Sequence, residues 1–139
     1  MQSHPSIALW AGNNENEAAL IQDWYGTDSN FDIYKADYLK LYKDTIQKMV
    51  ETEDPSRPFV LSSPSNGIIE TESVGGVNSN PTDTFFGDVH VYDYSKDGWN
   101  PQSYPQGPRF VSEYGWQSYP RFVDIYAMHS RYLCLVNAM

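Results

Sequence analysis

Two glutamates lie where short apolar runs of the sequence give way to polar residues. Glu15 follows the run at residues 7–10 after a glycine and two asparagines, and Glu113 closely follows Phe110 and Val111. A carboxyl group can donate a proton to a leaving group or, when ionised, attack carbon or accept a proton from water. Hydrolysis of a glycosidic bond needs two such groups, one protonated and one ionised. The sequence therefore offers a carboxyl pair, provided that the fold brings the two residues together.

Both glutamates also have structural explanations. Glu15 and its neighbour Glu17 precede a predicted helical segment, and acidic residues stabilise a helix N-terminus through the helix dipole. Composition alone favours that explanation. Glu113 belongs to a predicted buried strand, where an unpaired carboxylate is costly, so its structural alternative is an ion pair with Arg109 or Arg121.

Four short apolar runs that end in polar residues predict buried parallel strands. They lie at residues 7–10, 58–64, 86–92 and 109–114. Apolar residues at three- and four-residue steps predict an amphipathic helix at 36–53. Its buried face is expected to include Tyr38, Tyr42 and Met49. Residues 65–84, rich in Ser, Asn, Gly and Pro, predict a long loop.

This order of elements indicates an α/β fold with parallel strands. In a (β/α)₈ barrel the active site lies at the C-terminal ends of the strands. The residues expected at those ends are Glu15, Ser62, His90 and Glu113. Because four strands cannot close a barrel of eight, the expected fold class is a partial (β/α)₈ TIM barrel with an intervening helix and long loops.

Composition excludes several classes of partner and cofactor. Nine basic and eighteen acidic residues give a net charge of -9 without a basic cluster, so a nucleic-acid partner is not expected. No apolar run is long enough for a membrane span, and residues 1–20 lack a signal-peptide pattern. The single cysteine, Cys134, excludes an internal disulfide. The scattered histidines show no metal-ligand spacing, so neither a metal nor a cofactor is expected.

Four motifs resemble one enzyme family. The stretch at 4–17, with its Trp-x-Gly-Asn-Asn-Glu sequence, resembles the fourth barrel strand of family 2 glycoside hydrolases, in their β-mannosidase branch. The stretch at 109–118 resembles the seventh strand of that branch. Residues 57–67 and 87–94 resemble the fifth and sixth strands of the animal lysosomal type. The resemblance implies that residues 1–122 are a fragment of the catalytic barrel, and it fails over 123–139, a divergent C-terminal tail.

The resemblance also implies a reaction. Glu15 would be the general acid/base and Glu113 the nucleophile of a retaining β-mannosidase, which releases terminal non-reducing β-D-mannose from oligosaccharides through a glycosyl-enzyme intermediate. The nearest alternatives are a β-galactosidase or β-glucuronidase of the same family, or an inactive carbohydrate-binding fragment. The isolated fragment itself is expected to be inactive, because a barrel opened by half leaves strand edges unpaired.

Further site residues follow from the same resemblance. Asn14 would bind the 2-hydroxyl group of the sugar, and other residues would line the cleft. Those expected to bind substrate are Asn14, Trp24, His90, Tyr92 and Trp116. A histidine such as His90 would otherwise be a hydrogen-bonded core residue. The animal-type motifs imply a lysosomal enzyme of glycoprotein breakdown, whose protein partners the sequence does not reveal.

Overall fold

Four short strands and four α-helices occur in residues 4–115, the part of the chain that a computed structural model describes. The strands are β1 (Trp10–Ala11), β2 (Phe59–Val60), β3 (Val89–Val91) and β4 (Val111–Tyr114). The α-helices are α1 (Asn16–Ile21), α2 (Phe31–Tyr38), α3 (Lys48–Glu53) and α4 (Gly67–Ser73). A π-helical segment (Leu39–Gln47) joins α2 to α3, and 3₁₀ turns lie at Asp28–Asn30 and Pro101–Ser103. Each strand overlaps one of the predicted runs but is shorter.

The strands pair in parallel, as two ladders. In one, β1 pairs with β2, and in the other, β3 pairs with β4 in a register that sets His90 opposite Glu113. An isolated parallel bridge between Asn14 and Ser63 extends the first ladder, and an isolated antiparallel bridge between Ser65 and Asp88 joins it to the second. The segment after β2 is thereby linked to the residue that precedes β3.

The long helix begins earlier than its sequence pattern predicts. It runs from Phe31 rather than Ala36, because Phe31 also packs against the core. Four of the core-packing residues repeat at every fourth position, which is more than the 3.6 residues of an α-helical turn. They are Tyr38, Tyr42, Ile46 and Val50. The wider π-helical turns keep this four-residue repeat on one face of the helix. Met49 lies off that face and is 61% exposed, so the prediction that it is buried is wrong.

The predicted loop at 65–84 is partly helical. Helix α4 occupies residues 67–73, and Val77 and Asn78 behind it are buried in the core. The turn sequence conceals this helix because Ser, Asn and Gly dominate its flanks. Gly87 is required nearby: its φ is 45°, and a β-carbon there would overlap the Ser65 carbonyl oxygen. This close approach allows the bridge between Ser65 and Asp88.

A buried aspartate fastens the end of the long helix to the first strand. Asp54 accepts hydrogen bonds from the Ser56 hydroxyl, from the Trp10 indole at 3.1 Å and from Arg57 Nη1 at 2.6 Å. The Arg57 guanidinium also donates to the backbone carbonyls of Ile7 and His4. The Ser56 hydroxyl above all, with the Trp10 and Arg57 donors, lowers the pKa of Asp54 to about 2. The entrance to β1 therefore depends on an ionised Asp54.

One face of the described chain is an open apolar groove of about 930 Å³. Its lining includes exposed side chains from the start of the chain, from α4 and from the segments before β3 and β4. They are Leu9, Ile68, Ile69, Phe85, Phe86 and Phe110. An apolar surface of this extent is typical of a face that further protein covers. Within the described residues, no helix has the length and hydropathy to cross a membrane.

We predict that Asp54→Asn destabilises the chain at neutral pH and makes its stability less sensitive to acid. Because the pKa of Asp54 is lowered in the folded state, its contribution is complete above the ordinary value of 3.8 and is lost as the pH falls towards about 2. Urea unfolding at pH 7 and at several pH values between 4 and 2 measures both effects.

Asp44→Asn is the matched control. Asp44 pairs with Lys48 at 3.5 Å on the exposed face of the helix, so its loss should change the free energy of unfolding by about 0.5 kcal/mol or less. If Asp54→Asn were as mild as this control, the attachment of β1 would not depend on Asp54.

Candidate active site

Glu15 lies at the turn between β1 and α1 in a backbone conformation unusual for its residue type. Its φ is 62° and its ψ is 2°, the left-handed region that non-glycine residues adopt infrequently. The turn is fixed on both sides, because the Glu15 amide donates to the Ser63 carbonyl at 2.7 Å and its carbonyl accepts from the Ala19 amide at 2.8 Å. Gly12 permits the close contact with the second strand, since a β-carbon there would lie 2.6 Å from the Leu61 carbonyl oxygen.

The two asparagines before Glu15 have different environments. Asn13 donates to the Leu61 carbonyl at 2.8 Å and accepts from the Ser62 hydroxyl at 2.7 Å. It also accepts from the Asn16 amide at 3.0 Å, which caps the start of α1. Asn14 is exposed, and no hydrogen bond joins its side chain to another described residue. Asn13 is therefore committed to the scaffold, whereas the Asn14 amide is free to meet a ligand.

Glu15 does not cap the helix; its side chain points to a histidine. No side-chain capping bond is made by Glu15, and its Oε1 lies 2.8 Å from Nδ1 of His90. Glu17, the other acidic residue at this helix start, is fully buried and accepts from the backbone and side-chain nitrogens of Asn78. Burial raises the pKa of Glu17 despite these two donors. Of this pair, only Glu15 is accessible to a substrate.

Glu113 lies on β4 directly across from His90 on β3. Its Oε2 accepts from the Tyr92 hydroxyl at 2.9 Å and lies 3.5 Å from His90 Nδ1. The hydrogen bond to Glu113 raises the pKa of Tyr92 above its ordinary value. No ion pair joins Arg109 to Glu113 within residues 4–115, and Arg121 lies outside them. The structural alternative based on Arg109 therefore does not describe Glu113.

His90 brings the two carboxylates together. Its side chain is only 5% exposed, and one atom each of Glu15, His90 and Glu113 lies within 4.8 Å of the other two. Carboxyl groups that flank a glycosidic bond lie roughly 5–5.5 Å apart in retaining hydrolases and roughly 6.5–9.5 Å apart in inverting ones. The short separation of Glu15 and Glu113 fits the retaining geometry.

Three polar residues that the sequence did not single out complete this region. The Ser63 hydroxyl lies 3.1 Å from His90 Nε2 and donates to Asp88 Oδ2 at 2.6 Å, and the Ser112 hydroxyl donates to the same oxygen at 2.5 Å. The other oxygen of Asp88, Oδ1, accepts from the Ser65 amide at 2.9 Å. Ser62, expected at the strand end, instead faces Asn13 and is fully buried.

Of the two tryptophans expected in the cleft, only Trp24 lies in the described part of the chain. Trp24 is 46% exposed and donates its indole proton to Gln22 at 2.9 Å. No hydrogen bond joins Trp24 to Glu15, His90 or Glu113 among the residues that the structure describes. Trp116 lies outside the described residues. A substrate-binding role for either tryptophan stays a prediction.

The carboxyl cluster could also hold a cation. Glu15, His90 and Glu113 offer two carboxylate oxygens and one imidazole nitrogen at mutual distances that a metal ion could bridge. The Tyr92 hydroxyl and the direct contact between Glu15 and His90 already engage these atoms. The sequence-based expectation that the chemistry needs no metal stays a prediction.

A close pair of carboxyl groups in a solvent-accessible site is an arrangement that glycoside hydrolases use. Comparison with known proteins leads to one group of them. No protein-family model matches the chain. It is 50% identical to a β-mannosidase of Capra hircus over 123 residues, which are 88% of this chain and 14% of that protein.

Other relatives agree. A β-mannosidase of Bos taurus is also 50% identical, again over 88% of this chain and 14% of its own length. A probable β-mannosidase of Caenorhabditis elegans is 41% identical over 86% of this chain and 13% of its length. The chain is homologous to a segment of the animal β-mannosidases, which confirms the resemblance of its motifs. It spans about a seventh of the length of these relatives.

We predict that Glu17→Gln stabilises the protein increasingly as the pH rises. Because burial raises the pKa of Glu17 in the folded state, folding is favoured by its protonated form and is weakened as the pH rises above the ordinary value of 4.5. A glutamine keeps the acceptor that Asn78 uses and cannot ionise. The melting temperature of the variant relative to the natural chain should therefore grow between pH 4 and pH 8.

Glu72→Gln provides the control, because Glu72 is exposed on the last turn of α4. If the difference in melting temperature between Glu17→Gln and the natural chain stays constant across this pH range, burial does not oppose the ionisation of Glu17 in the folded state.

Proposed function

We propose that this chain carries both catalytic carboxyl groups of a retaining β-mannosidase, an enzyme that releases terminal non-reducing β-D-mannose from oligosaccharides. The observation that carries the proposal is the approach of Glu15 and Glu113 to within 4.8 Å from the ends of two different strands. Homology to animal β-mannosidases over 88% of the chain supports the same sugar.

In the first step, Glu113 is the nucleophile. Its Oε2 accepts the Tyr92 hydroxyl, which leaves Oε1 to attack the anomeric carbon of the mannoside. The bond from that carbon to the glycosidic oxygen breaks, and Glu15 donates its proton to the departing oxygen. The product of this step is a mannosyl ester of Glu113.

In the second step, Glu15 is the base. It removes a proton from a water molecule that attacks the anomeric carbon, the ester bond breaks, and the Glu113 carboxylate is released with mannose. The Glu15 proton lost in the first step is regained. No metal or cofactor takes part in either step.

The residues around the pair supply sugar recognition. Asn14 immediately precedes the acid and is exposed, and its side chain makes no hydrogen bond to another described residue, so its amide is available to the 2-hydroxyl group. That hydroxyl is axial in mannose, and a contact with it strengthens in the transition state. We assign Trp24 and Tyr92 to the mannose subsite, with His90 and Trp116 as further walls of the cleft.

Residues 1–122 of this chain are proposed to form strands four to seven of a (β/α)₈ barrel that belongs to a longer parent enzyme. The parallel pairing of its strands supports this arrangement, and the apolar groove of about 930 Å³ is the face that the remaining barrel would cover. The isolated chain is expected to be inactive for this reason. By family resemblance we place the parent enzyme in lysosomal glycoprotein breakdown.

Sugar preference tests the function. The parent enzyme should hydrolyse 4-nitrophenyl β-mannoside with a kcat/KM well above that for the corresponding galactoside and glucuronide. A preference for either of those sugars would assign the chain to another family 2 activity. Binding of mannosides without hydrolysis would favour a carbohydrate-binding protein.

Loss of each carboxyl group should have its own kinetic signature. Glu113→Gln removes the nucleophile and should lower kcat by about 10⁴-fold or more with every leaving group. Glu15→Gln should cost about 10²- to 10⁴-fold with an alkyl mannoside and far less with a dinitrophenyl mannoside, whose leaving group needs no proton.

Trapping identifies the nucleophile independently of these rates. A 2-deoxy-2-fluoro-mannosyl fluoride should label the parent enzyme at Glu113, as located by mass spectrometry of peptides.

Glu17→Gln is the matched control for the kinetics of Glu15→Gln, because Glu17 is buried against Asn78. Label on another carboxylate, or equal effects of the two substitutions, would contradict the assigned roles.

A further inference from the structure

His90 has polar partners on both ring nitrogens, and the geometry defines which nitrogen carries the proton. Nε2 lies 3.1 Å from the Ser63 hydroxyl oxygen, and Nδ1 lies 2.8 Å from Glu15 Oε1. A neutral imidazole carries one N–H, so one of these contacts uses a ring donor and the other uses a ring lone pair. The other hydrogen-bond partner of the Ser63 hydroxyl decides which ring nitrogen carries the proton.

That partner is Asp88. Its Oδ2 accepts hydrogen bonds from the Ser63 hydroxyl at 2.6 Å and the Ser112 hydroxyl at 2.5 Å, while Oδ1 accepts one from the Ser65 amide at 2.9 Å. An ionised carboxylate only accepts hydrogen bonds, so the single Ser63 proton points to Asp88. The Ser63 oxygen can then only accept from His90, which requires the proton on Nε2.

A consequence follows for Glu15. With the proton on Nε2, neutral His90 presents a lone pair on Nδ1 to a carboxyl oxygen 2.8 Å away. Two lone pairs at that distance repel, whereas one proton between them makes a short hydrogen bond. The Glu15–His90 pair therefore holds one proton, as a carboxylic acid beside an imidazole or as a carboxylate beside an imidazolium.

We propose that Asp88 is a positioning residue that acts through Ser63 to hold His90 in its Nε2-protonated tautomer, so that the Glu15–His90 pair keeps the proton needed for acid catalysis. The tautomer is a property of the structure alone, whereas its catalytic consequence rests on the proposed function. Neither Asp88 nor Ser63 needs to touch the substrate for this role.

The substitution Asp88→Asn has a defined effect in this geometry. The Ser65 amide, a donor, selects the amide oxygen of Asn for the place of Oδ1, which puts the NH₂ group beside Ser63 and Ser112. That NH₂ donates to Ser63, whose proton then points to His90 Nε2. The imidazole proton moves to Nδ1 and donates to Glu15, which is thereby held as a carboxylate without a proton to give. An Asp-to-Asn change behind a catalytic histidine produces the same wrong tautomer in serine proteases.

Nuclear magnetic resonance of the 139-residue chain with ¹⁵N-labelled histidine reads the tautomer directly, with His90→Gln used to assign the signal. We expect a protonated Nε2 at neutral pH in the natural chain, and an unprotonated Nε2 with a protonated Nδ1 in Asp88→Asn. Ser112→Ala removes the second hydroxyl from Asp88 but leaves Ser63 in place, so it should keep the natural tautomer. An unchanged His90 tautomer in Asp88→Asn would overturn the proposal.

Kinetics of the parent enzyme test the catalytic consequence. Asp88→Asn should lower kcat by about 10²- to 10³-fold for an alkyl β-mannoside and by much less for a dinitrophenyl β-mannoside, as expected for loss of general acid catalysis. Azide, a nucleophile that needs no general base, should accelerate turnover of the dinitrophenyl substrate by the variant. Equal losses with both substrates, without azide rescue, would reduce Asp88 to a structural role. An inactive natural parent would instead remove the proposed function, and the resonance measurement would still decide the tautomer.

Discussion

The contact of His90 with both glutamates is the interaction on which the arrangement of this site depends. Glu15 and Glu113 come from opposite ends of the described chain, and the His90 imidazole contacts both carboxylates. Two acidic groups this close repel each other unless a proton or a donor lies between them. The Glu15–His90 pair, whose imidazole has 5% of its side chain exposed, holds one proton there in a fixed orientation. The distance between the two carboxylates therefore depends on the His90 side chain, whose position is fixed by strand β3.

The backbone holds these three residues by pairing rather than by a large core. His90 and Glu113 are opposite each other in the parallel ladder of β3 and β4, so their separation follows from strand register. Glu15 is attached to the other ladder through the Ser63 carbonyl. Ser63 thus contributes twice: its backbone positions the proposed acid, and its hydroxyl contacts the histidine beside it. A change in either ladder would alter the carboxyl separation.

Much of this arrangement could be predicted from strand ends. Glu15, His90 and Glu113 each lie in or just after a predicted strand, towards the ends that parallel strands bring to one edge of a sheet, and the structure brings the three together. Ser63 and Asp88 could not be selected in this way. Neighbouring residues of an extended chain point to opposite sides, so an error of one position chooses Ser62, which faces Asn13, instead of Ser63. The helix α4 was missed because turn-forming residues surround it, and the exposure of Met49 depends on π-helical turns that apolar spacing alone does not reveal.

The different positions of Glu15 and Glu17 show how one backbone conformation separates structure from chemistry. Glu15 and Glu17 lie two residues apart at the start of one short helix, and the helix-dipole explanation applies equally to both. The left-handed conformation at Glu15 ends the extended segment, and the helix that follows directs Glu17 into the core towards Asn78. Glu15 remains at the end of the strand, beside His90 and open to solvent. A non-glycine residue in that conformation costs of order 1–3 kcal/mol, which the hydrogen bonds of Glu15 to Ser63 and Ala19 offset. A glycine there would relieve the strain but would carry no carboxyl group, so the conformational cost and the proposed chemistry reside in the same residue.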